Sequence, residues 1–194
     1  MSPVEVKAWR RAERERLIAW RMALPAAARR TAGGCIAASI QAIMFDRPGL
    51  LGVYWPFRAE FDPRPLVGAL VAAGRRVALP VVVDRKGPLE YRAWAPGEAL
   101  VAGVWDIPIP EKREVVVPMT VLAPVVGFDA GCYRLGYGGG YFDRTLAAFS
   151  PRPMAIGVGF AGQEIATIHP QPFDLPMDMI VTEAGVRRRA AALG

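Results

Sequence analysis

The chain has 194 residues but only two cysteines, Cys35 and Cys132, and a single histidine, His169. Two cysteines cannot make a disulfide scaffold, and no metal-ligand spacing joins them, so a reducing compartment, the cytoplasm, is expected. No apolar run approaches the ~20 residues that span a bilayer, so no membrane partner is expected. The start, Met1-Ser2-Pro3-Val4-Glu5, lacks the basic-then-apolar pattern of a secretory signal. Acidic residues are outnumbered: 18 Asp and Glu face 24 Lys and Arg, for a formal net charge of +6. A basic balance suits an anionic partner, whether nucleic acid, membrane or a small phosphorylated substrate. The basic residues form no long uniform tail. They concentrate in the first 30 positions and at Arg187-Arg188-Arg189. No RNA- or DNA-binding motif and no aromatic stacking platform accompanies them, so nucleic acid is not the expected partner.

What is present fits one compact globular domain, residues 1–194, with 53% hydrophobic and 22% charged residues. Ser2-Pro3-Val4-Glu5 reads as a capped helix start, with Glu5 three residues after Ser2. Val6, Trp9, Leu17, Trp20 and Leu24 recur at helical spacing and predict its buried face. A second helix is expected from about Ala26 to Ile43. A third, capped by Asp62 and opened by Pro63, is expected to reach Ala73. Leu50–Trp55 and Arg76–Val83 read as strands, with Leu89–Trp94 pairing back as a hairpin across Asp84–Pro88. Irregular chain is expected from Pro96 to Pro118. Met119–Val126 reads as a buried strand, although Pro124 warns of an early end or an edge position. A helix over Tyr141–Phe149 and strands over Met154–Phe160 and Met179–Thr182 complete the series. Strands alternating with helices predict an α/β fold: a three-layer α/β/α arrangement around a largely parallel central sheet. Ligands in such folds bind at the carboxyl ends of the strands.

The densest chemical signal is Arg134-Leu135-Gly136-Tyr137-Gly138-Gly139-Gly140-Tyr141-Phe142-Asp143-Arg144. Four glycines in five residues let the backbone curl close to a ligand. The helix that follows points unpaired N–H groups and a partial positive charge at that ligand, which suits phosphate. Arg134 adds a forked cationic contact. Asp143 would meet phosphate only through Mg²⁺. The segment is not a Walker A motif, because no Gly-Lys-Ser/Thr closes it. Nor is it a dinucleotide fingerprint, because Tyr141 stands where the last glycine belongs.

Residues 134–144 resemble the signature of the 5-formyltetrahydrofolate cyclo-ligase family, also called methenyltetrahydrofolate synthetases. Supporting matches are Tyr54-Trp55-Pro56 followed by Glu60, Trp105-Asp106-Ile107-Pro108, Val126-Gly127-Phe128-Asp129, and Asp174-Leu175-Pro176-Met177-Asp178 running into Ile180-Val181-Thr182-Glu183. The resemblance implies an enzyme that uses ATP and Mg²⁺ to close 5-formyltetrahydrofolate to 5,10-methenyltetrahydrofolate, with a monomer as the family default. It also implies the site. Residues Arg134, Leu135, Gly136, Tyr137, Gly138, Gly139, Gly140, Tyr141 and Phe142 would hold ATP, and Tyr137 to Tyr141 would also meet the folate. Arg134, Tyr141 and Asp143 would act at the reacting centre. Asp143 and Asp174 would hold the metal. Trp55 and Trp105 would flank the folate rings, and Glu60 would accept the pterin N–H groups.

In the family a Lys and an Arg four residues apart on the first helix reach ATP. Counting back from Arg21 places these roles on Arg10 and Arg14. Lys7 and Arg11 have the same spacing, so the register stays open. Phe142 stands where a second Tyr is usual, and Phe173 where His or another polar residue is common. His169 reads as a loop residue, and Cys132 as a packing residue. Two alternatives keep the same scaffold: a relative acting on another formylated or carboxylate-like substrate, and a non-catalytic folate- or nucleotide-binding protein.

Overall fold

A computed structural model describes residues 1–190; the remaining four residues of the expected domain lie outside the described ones. The elements in order are α1 (Pro3–Ala23), α2 (Ala26–Phe45), β1 (Leu51–Gly52), α3 (Arg64–Ala72), β2 (Val77–Val81), β3 (Glu90–Trp94), β4 (Leu100–Ala102), β5 (Pro108–Pro110), β6 (Thr120–Pro124), β7 (Gly127–Phe128), β8 (Arg134–Leu135), α4 (Tyr141–Ala148), β9 (Met154–Val158), β10 (Met179–Thr182) and β11 (Gly185–Arg188). Seven strands form the central sheet in the order β11-β10-β9-β6-β1-β2-β3. The five inner strands run parallel, and β3 and β11 are antiparallel edges.

The layers follow from the two-residue period of the strands. Leu122, Ile156, Val158, Met179, Val181, Val77 and Leu79 pack on one face beneath α2 and α3, with Ile36, Ile40, Leu66 and Val67. The alternate residues Ala123, Ala155 and Ile180 face the other way, toward Leu146 of α4. This is the three-layer α/β/α fold with a largely parallel sheet. The chain begins at β1 in the middle of the sheet, moves outward to β2, then returns across β1 to β6, β9 and β10. The order therefore reverses between β1 and β6. Their two connections leave the sheet in different directions and open a crevice at the strands' carboxyl ends.

Helix α1 starts as expected: the Ser2 hydroxyl accepts the Glu5 N–H, and the Ser2 N–H donates to the Glu5 carboxylate. Its inner face differs from expectation. Val6 and Leu17 are buried, but so are Arg10 and Arg21, while Trp9, Trp20 and Leu24 are only half-buried. The helix lies across strand ends and loops that offer carbonyl acceptors, not a purely apolar surface.

Other boundaries also change. Helix α2 runs on to Phe45. Helix α3 starts at Arg64, with Pro63 as its cap and the Asp62 carboxylate accepting the Arg64 N–H at 3.0 Å. The first two strands are shorter than expected. The segment expected to be irregular contains the β4–β5 hairpin, whose 3₁₀ turn spans Val104–Asp106. Strand β6 ends at Pro124 but is central, paired to β1 and β9. Proline, lacking an N–H, sits at its last position. Strand β11 has no counterpart among the expected strands: Gly185-Val186-Arg187-Arg188 carries no apolar alternation.

Leu122, fully buried at the middle of β6, is a sensitive position for core truncation. Leu122→Ala should lower unfolding free energy by about 2–5 kcal/mol. Urea denaturation would measure this; a loss below about 1 kcal/mol would contradict the packing described.

Candidate active site

A cleft of about 550 Å³ occupies the crevice between the β1 and β6 connections. One end is cationic. Arg10 and Arg14 of α1 and Arg134 of β8 line it, together with the glycine loop and the carboxylates Asp143 and Asp174. The other end is apolar and aromatic, lined by Tyr54, Trp55, Phe57, Leu89, Trp105 and Ile107, with Glu60 set among them.

Two glycines shape the loop. Gly138 has φ 96°, and Gly140, the cap of α4, has φ 64°. Both lie in the left-handed region that side chains disfavour. The loop folds over arginines: a Cβ on Gly138 would stand 3.4 Å from the Arg14 guanidinium, and one on Gly140 2.9 Å from Arg144. Arg14 Nε donates to the Gly136 carbonyl at 2.7 Å, and Arg144 Nη1 to the Gly139 carbonyl at 2.8 Å. The loop is thus braced from both sides, with the α4 N-terminus behind it.

The two candidate pairs on α1 face in different directions. Arg10, Arg14, Leu17 and Arg21 follow one another at spacings of four, three and four and share the inner face, whereas Lys7 and Arg11 are exposed. The arginines are not equivalent. Arg10 makes four hydrogen bonds: Nε donates to Ile168 O at 2.8 Å, Nη2 to His169 O at 2.9 Å, and Nη1 and Nη2 to the Asp174 carboxylate at 3.3 and 2.5 Å. It fixes the 168–174 loop and delivers Asp174 to the cleft. Arg14 makes one such bond and keeps the rest of its fork free among the described residues. Burial, then Arg10, and further off Arg134, press against its charge, and Asp174 supports it. Like charges held this close create a demand for an anion.

Arg134 is buried under the loop. Its guanidinium pairs with Asp143 at 3.2 Å and lies 4.8 Å over the Phe142 ring. Burial works against its charge, and Asp143 and Asp174 work for it. Among the described residues its Nε has no partner, nor does the buried Tyr91 hydroxyl, which belongs to the cluster that Phe142 packs against. Asp143 also accepts the Leu175 N–H at 3.2 Å, which brings the two acidic positions to the same corner. No group of three His, Cys, Asp or Glu gathers among the described residues. That argues against an all-protein metal cage, but it suits Mg²⁺, which is often held by one or two carboxylates and completed by phosphate oxygens.

Glu60 is only 8% exposed. Burial raises its carboxyl to about 6, opposed by Arg21, the Phe57 N–H and the Tyr137 hydroxyl. Its folded value lies above its ordinary one. The group therefore favours folding below about pH 4.5 and loses that contribution as pH rises through 6, about 2 kcal/mol in all. A buried carboxylate at the wall of an aromatic cleft offers acceptor lone pairs to adjacent N–H donors. Trp55 packs against Trp94, and Trp105 (62% exposed) stands edge-on to Tyr141 at 5.9 Å. Trp105 and Asp106 both have φ 58°, a strained turn that lifts the indole over the cleft.

Phe173, 70% exposed, stands at the rim beside Asp174. His169 is in a loop with its ring edge-on to Trp9, and Cys132 is buried with its thiol pushed up by burial. Tyr54, Phe57, Leu89 and Arg21 join the site without having been singled out. The spacing of Arg21 from Arg14 was the available signal.

A crevice at the switch point of an α/β sheet, with an arginine-braced anion loop at one end and an aromatic wall around a buried carboxylate at the other, defines a small-molecule enzyme that brings a phosphate compound against a flat organic ring. The sequence model of the 5-formyltetrahydrofolate cyclo-ligase family matches residues 6–183, and the chain belongs to that family. The 5-formyltetrahydrofolate cyclo-ligase of Escherichia coli K12 is 32% identical over 144 residues, covering 70% of this chain and 79% of that protein. That of Haemophilus influenzae is 26% identical over 141 residues, covering 68% and 74%. The solution structure of Aquifex aeolicus 5,10-methenyltetrahydrofolate synthetase superposes with a TM-score of 0.83 at 25% identity over 95% of each chain. The Mycoplasma pneumoniae synthetase shares the fold, with a TM-score of 0.75 at 21% identity over 90% of this chain and 98% of its own.

The contrast between the two α1 arginines is testable. Arg10→Met strands a buried carboxylate and two carbonyls, and should lower stability by about 3–5 kcal/mol. Arg14→Met should change it by about 1 kcal/mol or less while weakening polyphosphate binding. Equal losses in parallel urea titrations would refute the division.

Proposed function

We propose that the chain is a single-domain ligase that closes 5-formyltetrahydrofolate to 5,10-methenyltetrahydrofolate at the expense of ATP, with Mg²⁺ as cofactor. The observation that carries this is the adjacency of the anion cradle of Arg14, Arg134 and the glycine loop to the Glu60-marked aromatic cleft.

The residues divide the work. Gly136–Tyr141 and the free fork of Arg14 would seat the ATP phosphates, with Arg134 and the N-terminus of α4 meeting charge on the transferred group. Leu135 and Phe142 would support this from below, Phe142 through its contact with the Arg134 guanidinium. Arg10 would act by fixing Asp174. Glu60 would accept the pterin N–H groups, and Trp55 and Trp105 would cover the ring faces and exclude water. So held, the formyl oxygen on nitrogen 5 lies toward the γ-phosphoryl group, next to Tyr141 at the loop's end.

Transfer of the γ-phosphoryl group to the formyl oxygen leaves ADP and makes the formyl carbon electrophilic. Nitrogen 10 attacks that carbon and gives up its proton, the C–O bond breaks, and inorganic phosphate departs carrying that proton, giving the methenyl bridge. Little covalent work falls to the protein. Alignment of the two ligands and neutralisation by the arginines supply the acceleration. Asp143 and Asp174 would hold Mg²⁺, which when bound neutralises phosphate charge.

The decisive experiment mixes purified protein with 5-formyltetrahydrofolate, ATP and Mg²⁺. Conjugation across nitrogens 5 and 10 should produce a new near-ultraviolet absorbance that requires all three components. ATP binding without that absorbance would overturn the assignment. Asp143→Asn, which keeps size but removes the charge, should slow turnover at limiting Mg²⁺ by roughly a hundredfold while changing ATP affinity far less. Near-normal turnover would remove Asp143 from the metal site.

A further inference from the structure

Arg21 lies in the last turn of α1 and is 1% exposed. Its guanidinium reaches three segments that are distant in sequence. Nε donates to Arg58 O at 3.0 Å, Nη1 to Val125 O at 3.1 Å and Nη2 to the Tyr137 hydroxyl at 2.7 Å. The Tyr137 hydroxyl is also 2.9 Å from Glu60 Oε1, and the Phe57 N–H is 2.8 Å from Oε2. Arginine has no acceptor and a phenol has one proton. The direction is therefore fixed: Arg21 donates to Tyr137, and Tyr137 donates to Glu60. Such a relay is complete only when Oε1 of Glu60 accepts, as a carboxylate does.

We propose that Arg21 is a positioning residue for recognition of the folate ring: paired with Glu60 at 3.8 Å and bonded to it through Tyr137, it keeps Glu60 an acceptor directed into the cleft and ties that carboxylate to the glycine loop. The functional part rests on the folate reading; the relay does not.

Two further observations support it. Arg58 and Ala59 both have left-handed backbones, at φ 47° and 59°, and Arg21 holds the carbonyl between them. The turn that presents Glu60 is strained and pinned at that bond. The charged and titratable groups facing Glu60 come from every element around it: Arg21 from α1, Tyr137 from the glycine loop, Tyr54 from the end of β1, and more distantly Arg134 from β8. Asp62, on the same loop, acts on Tyr54. Burial pushes the Glu60 carboxyl up to about 6, and Arg21 is the foremost group holding it down. Without Arg21 the carboxyl is free to climb toward working pH.

The test follows the Glu60 carboxyl by carbon-13 NMR in ligand-free protein, with Glu60→Gln to assign the signal, alongside titrations of 5-formyltetrahydrofolate and ATP across pH 5–9. Wild type should titrate near 6, and folate affinity should fall below that pH. Arg21→Gln should move both midpoints upward together, by about one unit, and weaken folate binding at pH 7 roughly tenfold, with ATP affinity changed far less. Arg21→Lys, which keeps the charge, should restore the midpoint even where stability is not restored. Tyr137→Phe, at a residue whose ring is largely outside the core, should fold and should also raise the midpoint. An unmoved midpoint in Arg21→Gln and Tyr137→Phe would overturn the proposal, as would equal loss of both ligands at every pH. A moved midpoint in a protein that does not bind the folate would sink the folate reading and leave the relay standing.

Discussion

Helix α1 lies across the carboxyl ends of the sheet and presents guanidinium groups where an ordinary packing helix presents leucines. The strand ends and loops there carry backbone carbonyls that no ladder satisfies. Buried carbonyls need donors, and the arginines of one helix stripe provide them. Arg10 takes Ile168 and His169, Arg14 takes Gly136, and Arg21 takes Arg58 and Val125. The same bonds that satisfy these carbonyls carry positive charge into the crevice. Holding the loops together and preparing an anion site are therefore one physical event.

This arrangement separates residues that look alike. A buried guanidinium with most of its donors taken up by the protein acts as a brace. Arg10 belongs to that class, and its four-residue neighbour Arg14 does not. Around Glu60 the balance runs the other way. Burial alone would neutralise the carboxyl, and the surrounding donors keep it near the point of ionisation. The fold gives up stability at neutral pH to keep this carboxylate in the wall of the cleft.

Much of the fold was readable. The capping box at Ser2, the alternating strands and the glycine run with its following helix are local features, fixed by residues within a few positions of one another. What misled was also local. The Pro96–Pro118 segment has the composition of a loop, yet its hairpin forms because Leu100–Ala102 and Pro108–Pro110 pair across a strained turn at Trp105. Strand β11 has no apolar period because it is an edge, held by its ladder to β10. The inner face of α1 escaped a hydrophobic count because half of its buried residues are arginines.

The sequence by itself determined the family signature at 134–144, the layered α/β fold, and the residue types gathered for phosphate and for a planar ring. Such information lies in short spacings and in composition, which survive without coordinates. Only the tertiary structure decided which pair of α1 cations faces inward, that Arg10 is spent on Asp174 and two carbonyls, and that Arg21, Tyr137 and Glu60 form one chain of hydrogen bonds. Those outcomes depend on carbonyls and hydroxyls contributed by segments distant in sequence, and on the burial that makes each unpaired group expensive.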